Sequence, residues 1–241
     1  MAADQTFYQD LLRLQEHDTV LDQLRHRRAT LPELAELAAL ESALTGVDRE
    51  LIDVTVQRDE VARRQKKFED ELAGVEAKVA EMNGRMYSGE VTIPRELQAM
   101  QADIDSLRRR CSALEDDVLE AMTEREPLDE QVAALLTARG GHDDGGGKLR
   151  VAIAEAQTSI DKELADVEAA RADAAAAVPA DLARRYEQLR AKLGGVGAAR
   201  LVNGRCTGCH LTLPATEIDR IKREPPDSLI TCDQCGRILV R

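Results

Sequence analysis

Four cysteines in two pairs carry the most specific chemistry of this 241-residue sequence: Cys206-Thr207-Gly208-Cys209 and Cys232-Asp233-Gln234-Cys235, with 22 residues between the pairs. Thiolates are soft ligands, and Zn²⁺ takes four of them in a tetrahedron. Two such pairs therefore predict one structural Zn²⁺ on Cys206, Cys209, Cys232 and Cys235. Gly236 follows the second pair and suits a turn with positive φ, which lets backbone N–H groups point at the sulfurs. Two other readings of the four thiols stay open at this point. Two disulfides need an oxidising compartment, of which the sequence shows no sign, and iron fits the same cage. A closed four-thiolate cage leaves no position for water or substrate, so it builds structure and does not catalyse. The chain shows no nucleophile–base pairing, no phosphate loop and no open metal site. No catalytic residue, no small-molecule substrate and no enzyme activity are expected.

The elements that must carry this site are mostly helical. Charged residues make up 32% of the chain, aromatic residues 2%, and Trp is absent. That composition suits long amphipathic helices rather than a compact globule. Core-type residues recur in steps of three and four from Leu37 to Met86, with Arg58 and Gln65 as polar exceptions. A second series runs from Leu97 through Ile104, Cys111, Leu114, Ala121 and Arg125 to Arg139. Sustained 3-4 spacing is a coiled-coil seam. Cys111 lies on it and reads as a small core residue. Between the series, Gly89 can turn the chain and Pro94 suits the first turn of a helix, which predicts an antiparallel hairpin with its tip at 87–94.

Charge patterning supports the hairpin. Arg63, Arg64, Lys66 and Lys67 fall opposite Glu115, Asp116, Asp117 and Glu120. Arg108, Arg109 and Arg110 fall opposite Glu69, Asp70, Glu71 and Glu76. Interhelical pairing accounts for these runs better than a nucleic-acid patch does. Arg58 and Arg125 lie on the seam at similar distances from the tip and predict a loosely packed joint. Breaks are expected on both arms: near 30–32, where Thr30 and Glu33 form a capping box around Pro32, and in the glycine-rich stretch 140–147, with His142 in a solvated loop. The coil should then consist of residues 5–29 with 148–177 and residues 32–86 with 94–139.

Pro179 starts a new element, with a helix expected over 181–193 and a stop at Gly194-Gly195. Strands are expected near 198–202, 228–231 and 237–240, with a helix over 215–223 that turns Ile218 and Ile221 inward. The fold class is therefore mostly α: a long antiparallel coiled-coil hairpin interrupted on both arms, residues 1–180, plus a small C-terminal zinc ribbon, residues 181–241. Met1–Gln5 lacks a basic or apolar leader, and no apolar run approaches a membrane span of roughly 18 residues. A cytoplasmic location and no membrane contact are expected.

These motifs resemble a bacterial family, the C4-type zinc-ribbon coiled-coil proteins, long classed as a domain of unknown function. The resemblance rests on Tyr87-Ser88-Gly89 with Pro94-Arg95-Glu96-Leu97, on Cys206-Thr207-Gly208-Cys209-His210 with Leu213-Pro214, and on Cys232 through Leu239. Flagellar zinc-ribbon proteins that chaperone sigma-54 and bind flagellin messenger RNA belong to that family. The resemblance implies zinc on the four cysteines and binding to nucleic acid or protein. The stretch 140–147 departs from the family pattern.

Charge is unevenly distributed along the chain. Residues 1–181 hold 22 basic and 39 acidic side chains, whereas residues 182–241 hold 11 and 6. Arg200, Arg205, Lys222, Arg223, Arg237 and Arg241 are the candidates for contact with DNA or RNA phosphates. Tyr186 is the only aromatic residue after 181, so base stacking on a platform is not expected. The other function class is a protein adaptor or chaperone, with the hairpin as docking surface for a partner such as the transcription machinery. Polymerase regulators that insert a hairpin tip carry several acidic residues there; this tip has Glu90 alone.

Overall fold

The computed structural model describes residues 6–89, 91–225 and 228–241. Met1–Gln5 and the tip residue Glu90 lie outside the described residues. The elements are α1 (Thr6–Ala29), α2 (Pro32–Tyr87), α3 (Pro94–Ala177), α4 (Ala180–Lys192), β1 (Ala198–Val202), β2 (Arg205–Cys206), α5 (Ala215–Arg223) and β3 (Ile238–Val240). No described helix is long and apolar enough to cross a membrane. The chain packs as two compact units, one of residues 36–148 and one of residues 1–35 with 149–241. The ribbon thus shares a unit with both ends of the helical region, whereas the sequence suggests a boundary near 180.

In the unit 36–148, α2 and α3 pair along the expected seam. Val54, Val61, Ile104, Leu114 and Ala121 are buried on it, and so is Gln65. The expected joint is a polar layer. Arg125 donates to the Gln65 Oε1 at 2.9 Å and pairs with Asp129 at 3.1 Å, and Arg58 reaches the same Asp129 at 3.7 Å. Only part of the expected charge pairing spans the helices. Arg110 meets Glu71 at 3.2 Å, but Arg64 meets Glu124, and Lys66, Lys67 and Arg108 pair within their own helices. Long side chains on one helix face neighbours three and four residues away, and those pairs compete with the cross-helix ones.

The break expected at 140–147 does not occur, because α3 runs through it. Glycine lowers helix propensity but removes no backbone donor, so the hydrogen-bond ladder can continue wherever packing supports it. Such support is present. A Cβ on Gly145 would lie 3.0 Å from Leu40 Cδ1, and Arg139 ties Asp48 at 2.7 Å to Asp143 at 3.6 Å. His142 is therefore a half-buried helical residue, not a loop residue. The residue that does interrupt the ladder is Pro127, inside α3.

The break near 30–32 is present, without the capping box. Thr30 turns back, its hydroxyl and its N–H both donating to the His26 carbonyl at 2.8 and 2.9 Å, so it closes α1 instead of opening α2. At Gly89, φ is +81°, as the tip turn requires.

In the other unit, α1 is the central element. Tyr8, Leu11, Leu12 and Leu14 pack with Val178, Tyr186, Ala198, Ile238 and Val240 into one core. Arg28 holds Asp161 of α3 at 2.7 and 3.2 Å, and Arg25 holds Glu168 at 3.1 Å. The sheet has the order β2-β1-β3, with β1–β2 antiparallel and β1–β3 parallel. Asn203 and Gly204, at φ 49° and 75°, form the two-residue turn between β1 and β2. The strand expected at 228–231 reduces to one bridge, Thr231 with Ile238, and one bond from the Leu239 N–H to the Ile230 carbonyl. The Ser228 N–H and hydroxyl both donate to the Pro225 carbonyl instead, at 3.1 and 2.8 Å, so they are not available to a strand ladder.

Candidate metal centre

The two cysteine pairs meet. Their four sulfurs all lie within 4.8 Å of one another, with Cys206 to Cys235 at 4.0 Å and Cys209 to Cys232 at 3.9 Å. Zn–S bonds of about 2.3 Å in a tetrahedron place sulfurs about 3.8 Å apart, whereas a disulfide needs about 2.05 Å. All four thiols are free. The donor set fits one structural Zn²⁺, and the disulfide reading falls.

Each sulfur pair sits on the same local fold. The His210 N–H donates to the Cys206 carbonyl at 2.8 Å, and the Cys206 N–H donates to the Leu211 carbonyl at 3.0 Å. The second pair repeats this, with Gly236 to Cys232 at 2.7 Å and Cys232 to Arg237 at 2.9 Å. The residue after each second cysteine has positive φ: 60° at His210 and 73° at Gly236. Glycine adopts that conformation freely; His210 adopts it at a steric cost that the surrounding bonds must hold. Within the first knuckle, a Cβ on Gly208 would come 2.5 Å from Arg237 Cδ and 2.9 Å from Ala199 Cβ, so only glycine fits.

The backbone then acts on the thiols. Burial pushes the Cys206 thiol up, opposed by the N–H groups of Cys209 and Gly208. Burial pushes Cys232 up to about 12, opposed by those of Gln234 and Cys235. At Cys235 burial acts in the same direction, but bonds from the backbone and side chain of Arg237, with those from Cys232 and Cys209, together bring the thiol down to about 7. Bound Zn²⁺ supplies the positive charge that holds all four sulfurs as thiolates.

Two side chains that the sequence reading did not single out support the second knuckle. Glu217 of α5 is buried and accepts from the Asp233 N–H at 3.3 Å, while Arg220 pairs with the Asp233 carboxylate at 3.3 Å. Ile221 and, partly, Ile218 pack beside Cys206 and Cys232, as their spacing predicted.

A buried polar cluster joins α1 to the ribbon side of this unit, and sequence reasoning does not reach it either. Asp18, 1% exposed, accepts from Arg171 at 2.7 Å and from the Tyr186 hydroxyl at 2.6 Å, with Arg190 at 3.5 Å. Burial, then the bond to Asp18, raises the Tyr186 phenol. Gln15 reads the entry loop through both ends of its amide, donating to the Gly195 carbonyl at 3.0 Å and accepting from the Gly197 N–H at 2.7 Å. A polar residue on a helix face has no local signal that marks it as buried, so only its distant partners reveal these roles.

The six candidate cations divide into groups. Arg237 donates to the Val196 and Leu193 carbonyls at 3.0 and 3.1 Å and closes the end of α4. Arg205 uses Nε for the His210 carbonyl at 2.7 Å. Arg241 donates to the carbonyls of Ile221, Glu224 and Pro225 at 2.8, 3.1 and 2.7 Å, which ties it to the end of α5, the helix whose last turn carries Lys222 and Arg223. The side chains of Lys222, Arg223 and Arg200 are exposed and make no ion pair or hydrogen bond among the described residues.

The comparisons with known proteins agree with this geometry. The family model of the CT398-like coiled coil hairpin domain matches residues 14–194, and that of the C4-type zinc ribbon domain matches residues 205–239. An uncharacterized protein of Mycobacterium tuberculosis is 29% identical over 238 residues, covering 96% of this chain and 94% of its own. A solved structure from Mycobacterium smegmatis matches with a TM-score of 0.87 and 26% identity over 100% of both chains. The structure of CT398 from Chlamydia trachomatis shares the fold, with a TM-score of 0.70 at 18% identity over 99% of both chains.

Proposed function

Because this chain belongs to the CT398-like coiled coil hairpin family and carries a C4-type zinc ribbon, we propose that it is a non-enzymatic protein of the reducing cytoplasm that contacts nucleic acid through its ribbon end. One observation carries this reading. The carbonyls that end α5 hold Arg241 at the same helix end whose last turn carries the exposed Lys222 and Arg223. Part of this charge is accounted for by the helix dipole, which favours cations at a C-terminus. Arg200 on β1 adds an exposed guanidinium that no helix end accounts for. Contact of this kind is with phosphate oxygens and tolerates many sequences. A regulatory role in transcription or after it follows from such binding.

The test is fluorescence anisotropy of the zinc-loaded protein with single-stranded RNA and with duplex DNA, over a series of salt concentrations. The triple reversal Arg200→Glu, Lys222→Glu, Arg223→Glu should abolish binding. Single reversals should each flatten the logarithmic salt slope by about 0.9 per phosphate neutralised on duplex DNA. Arg237 and Arg241 are left intact because reversing them breaks the ribbon fold. No binding at low salt, or an unchanged slope in the variants, would falsify this reading.

A further inference from the structure

The helix α3 carries a second stripe beside its seam. Leu119, Met122, Glu126, Asp129, Ala133 and Leu136 follow the 3-4 spacing one residue after the seam positions Val118, Ala121, Arg125, Leu128, Val132 and Leu135, and Glu130 lies one turn from Glu126 beside them. The stripe's large apolar members are uncovered among the described residues: Leu119, Met122 and Leu136 are 59%, 47% and 52% exposed. All of the stripe residues but Leu136, together with Glu130, Thr123 and Arg125, line an open groove of about 640 Å³.

Charge within the stripe is ordered. Its two ends are apolar and its middle is acidic. Asp129 is matched by Arg125 and Arg58. Glu126 and Glu130 make no ion pair or hydrogen bond among the described residues, so two negative charges stand uncompensated between the apolar ends. Pro127 lies at the same level. It has no N–H to give to the carbonyl of Thr123, so a backbone acceptor in the groove lacks its usual helical donor.

From this order we propose that the outer stripe of α3 docks an amphipathic helix of a partner protein, apolar at both ends and Lys- or Arg-bearing in its middle. At 1.5 Å per residue the stripe spans roughly 25 Å, which calls for a partner helix of about 17 residues. Apolar anchors would seat in the stripe, as in other helix-in-groove interfaces, and cations would meet Glu126, Glu130 and the Thr123 carbonyl. A second copy fits poorly: antiparallel self-pairing about the middle sets Glu126 and Glu130 against their own kind. Nucleic acid fits poorly for the same reason of sign. The inference is independent of what the ribbon binds.

The test uses the zinc-loaded full chain and three labelled 18-residue helical peptides. The first has Leu at both ends of one face and Lys in the middle, the second has Glu for Lys, and the third is a scramble of the first. Anisotropy should show binding of the first alone. Glu126→Lys with Glu130→Lys should weaken it at least tenfold, as should Leu119→Ser with Leu136→Ser. Reversing two other exposed acids of α3, Asp103→Lys with Asp116→Lys, should change it less than twofold. All replaced residues are exposed, so unchanged circular dichroism and melting verify the fold of each variant. Equal weakening by both acid pairs, equal binding of the scramble, or no binding of the first peptide overturns the proposal. So does displacement by single-stranded RNA, or sedimentation showing a dimer that the Leu119/Leu136 variant splits.

Discussion

The unit that holds the ribbon and the unit 36–148 are built from the same kind of sequence, yet they are stabilised differently. In the latter, two helices share one seam, and among its described large side chains only Ile104 and Leu114 are essentially without exposure. A two-helix seam leaves most of each helix surface in water, so polar layers such as Arg58–Gln65–Arg125–Asp129 can sit on it with their outer atoms solvated. In the former, α1 is covered by α3, by α4 and by the sheet, and Leu11, Leu14, Leu21, Ile160, Tyr186, Ile238 and Leu239 are sealed. There a charged residue such as Asp18 is held by three donors, Arg171, Arg190 and the Tyr186 hydroxyl. A third and fourth packing partner thus converts a tolerant seam into a core in which a polar group must be matched.

The largest expected contrast follows from the metal. Cys232→Ser, or removal of zinc by a chelator, should unfold the ribbon, because a structural zinc contributes on the order of 10 kcal/mol in such small modules. Ile238 and Val240 belong to the same core as Leu11 and Leu14, so α4 and the first half of α1 should lose protection with it. Hydrogen exchange read by mass spectrometry should show this loss while amides in 36–148 stay protected. Simultaneous loss in 36–148, or a ribbon unit unchanged without metal, would contradict the division.

A smaller contrast separates the two polar clusters. Asp18→Ala leaves Arg171, Arg190 and the Tyr186 hydroxyl without their shared acceptor, and removing one partner of a buried pair costs about 3–5 kcal/mol. Arg58→Ala removes a half-exposed partner and should cost under about 1 kcal/mol. Urea denaturation of both variants checks the ratio. Comparable losses would mean that the two clusters are equally sealed.

The smallest effect sharpens the description of α3. Cβ atoms on Gly140, Gly141 and Gly147 would meet nothing within 4 Å. Each change to Ala should therefore stabilise the helix by roughly 0.5–1 kcal/mol. Thermal melts of the triple variant should shift upward by a few degrees. No shift, or a downward one, would show that this stretch is not helical in solution.

Much of this molecule is determined by its sequence alone. Ligand chemistry and spacing are local facts, so two Cys-x-x-Cys pairs point to a four-thiolate zinc cage before any fold is known, and the sulfur distances then remove the disulfide reading. The same holds for the 3-4 seam, for the turn at Gly89 and Pro94, and for the inward side of α5. The Asn203-Gly204 hairpin turn is a local signal of the same kind. Other features depended on what lies opposite. The run 140–147 is helical because glycines lower propensity without removing donors, and Leu40 packs on Gly145. Thr30 closes one helix rather than opening the next because the His26 carbonyl was within reach. Arg237 and Arg241 became parts of the fold because exposed carbonyls at the ends of α4 and α5 needed donors. Asp18 and Gln15 became buried because α4 and the sheet return to α1 after more than 150 residues of chain. Such long-range closure leaves no periodicity or spacing in the sequence, and only the packed structure could decide it.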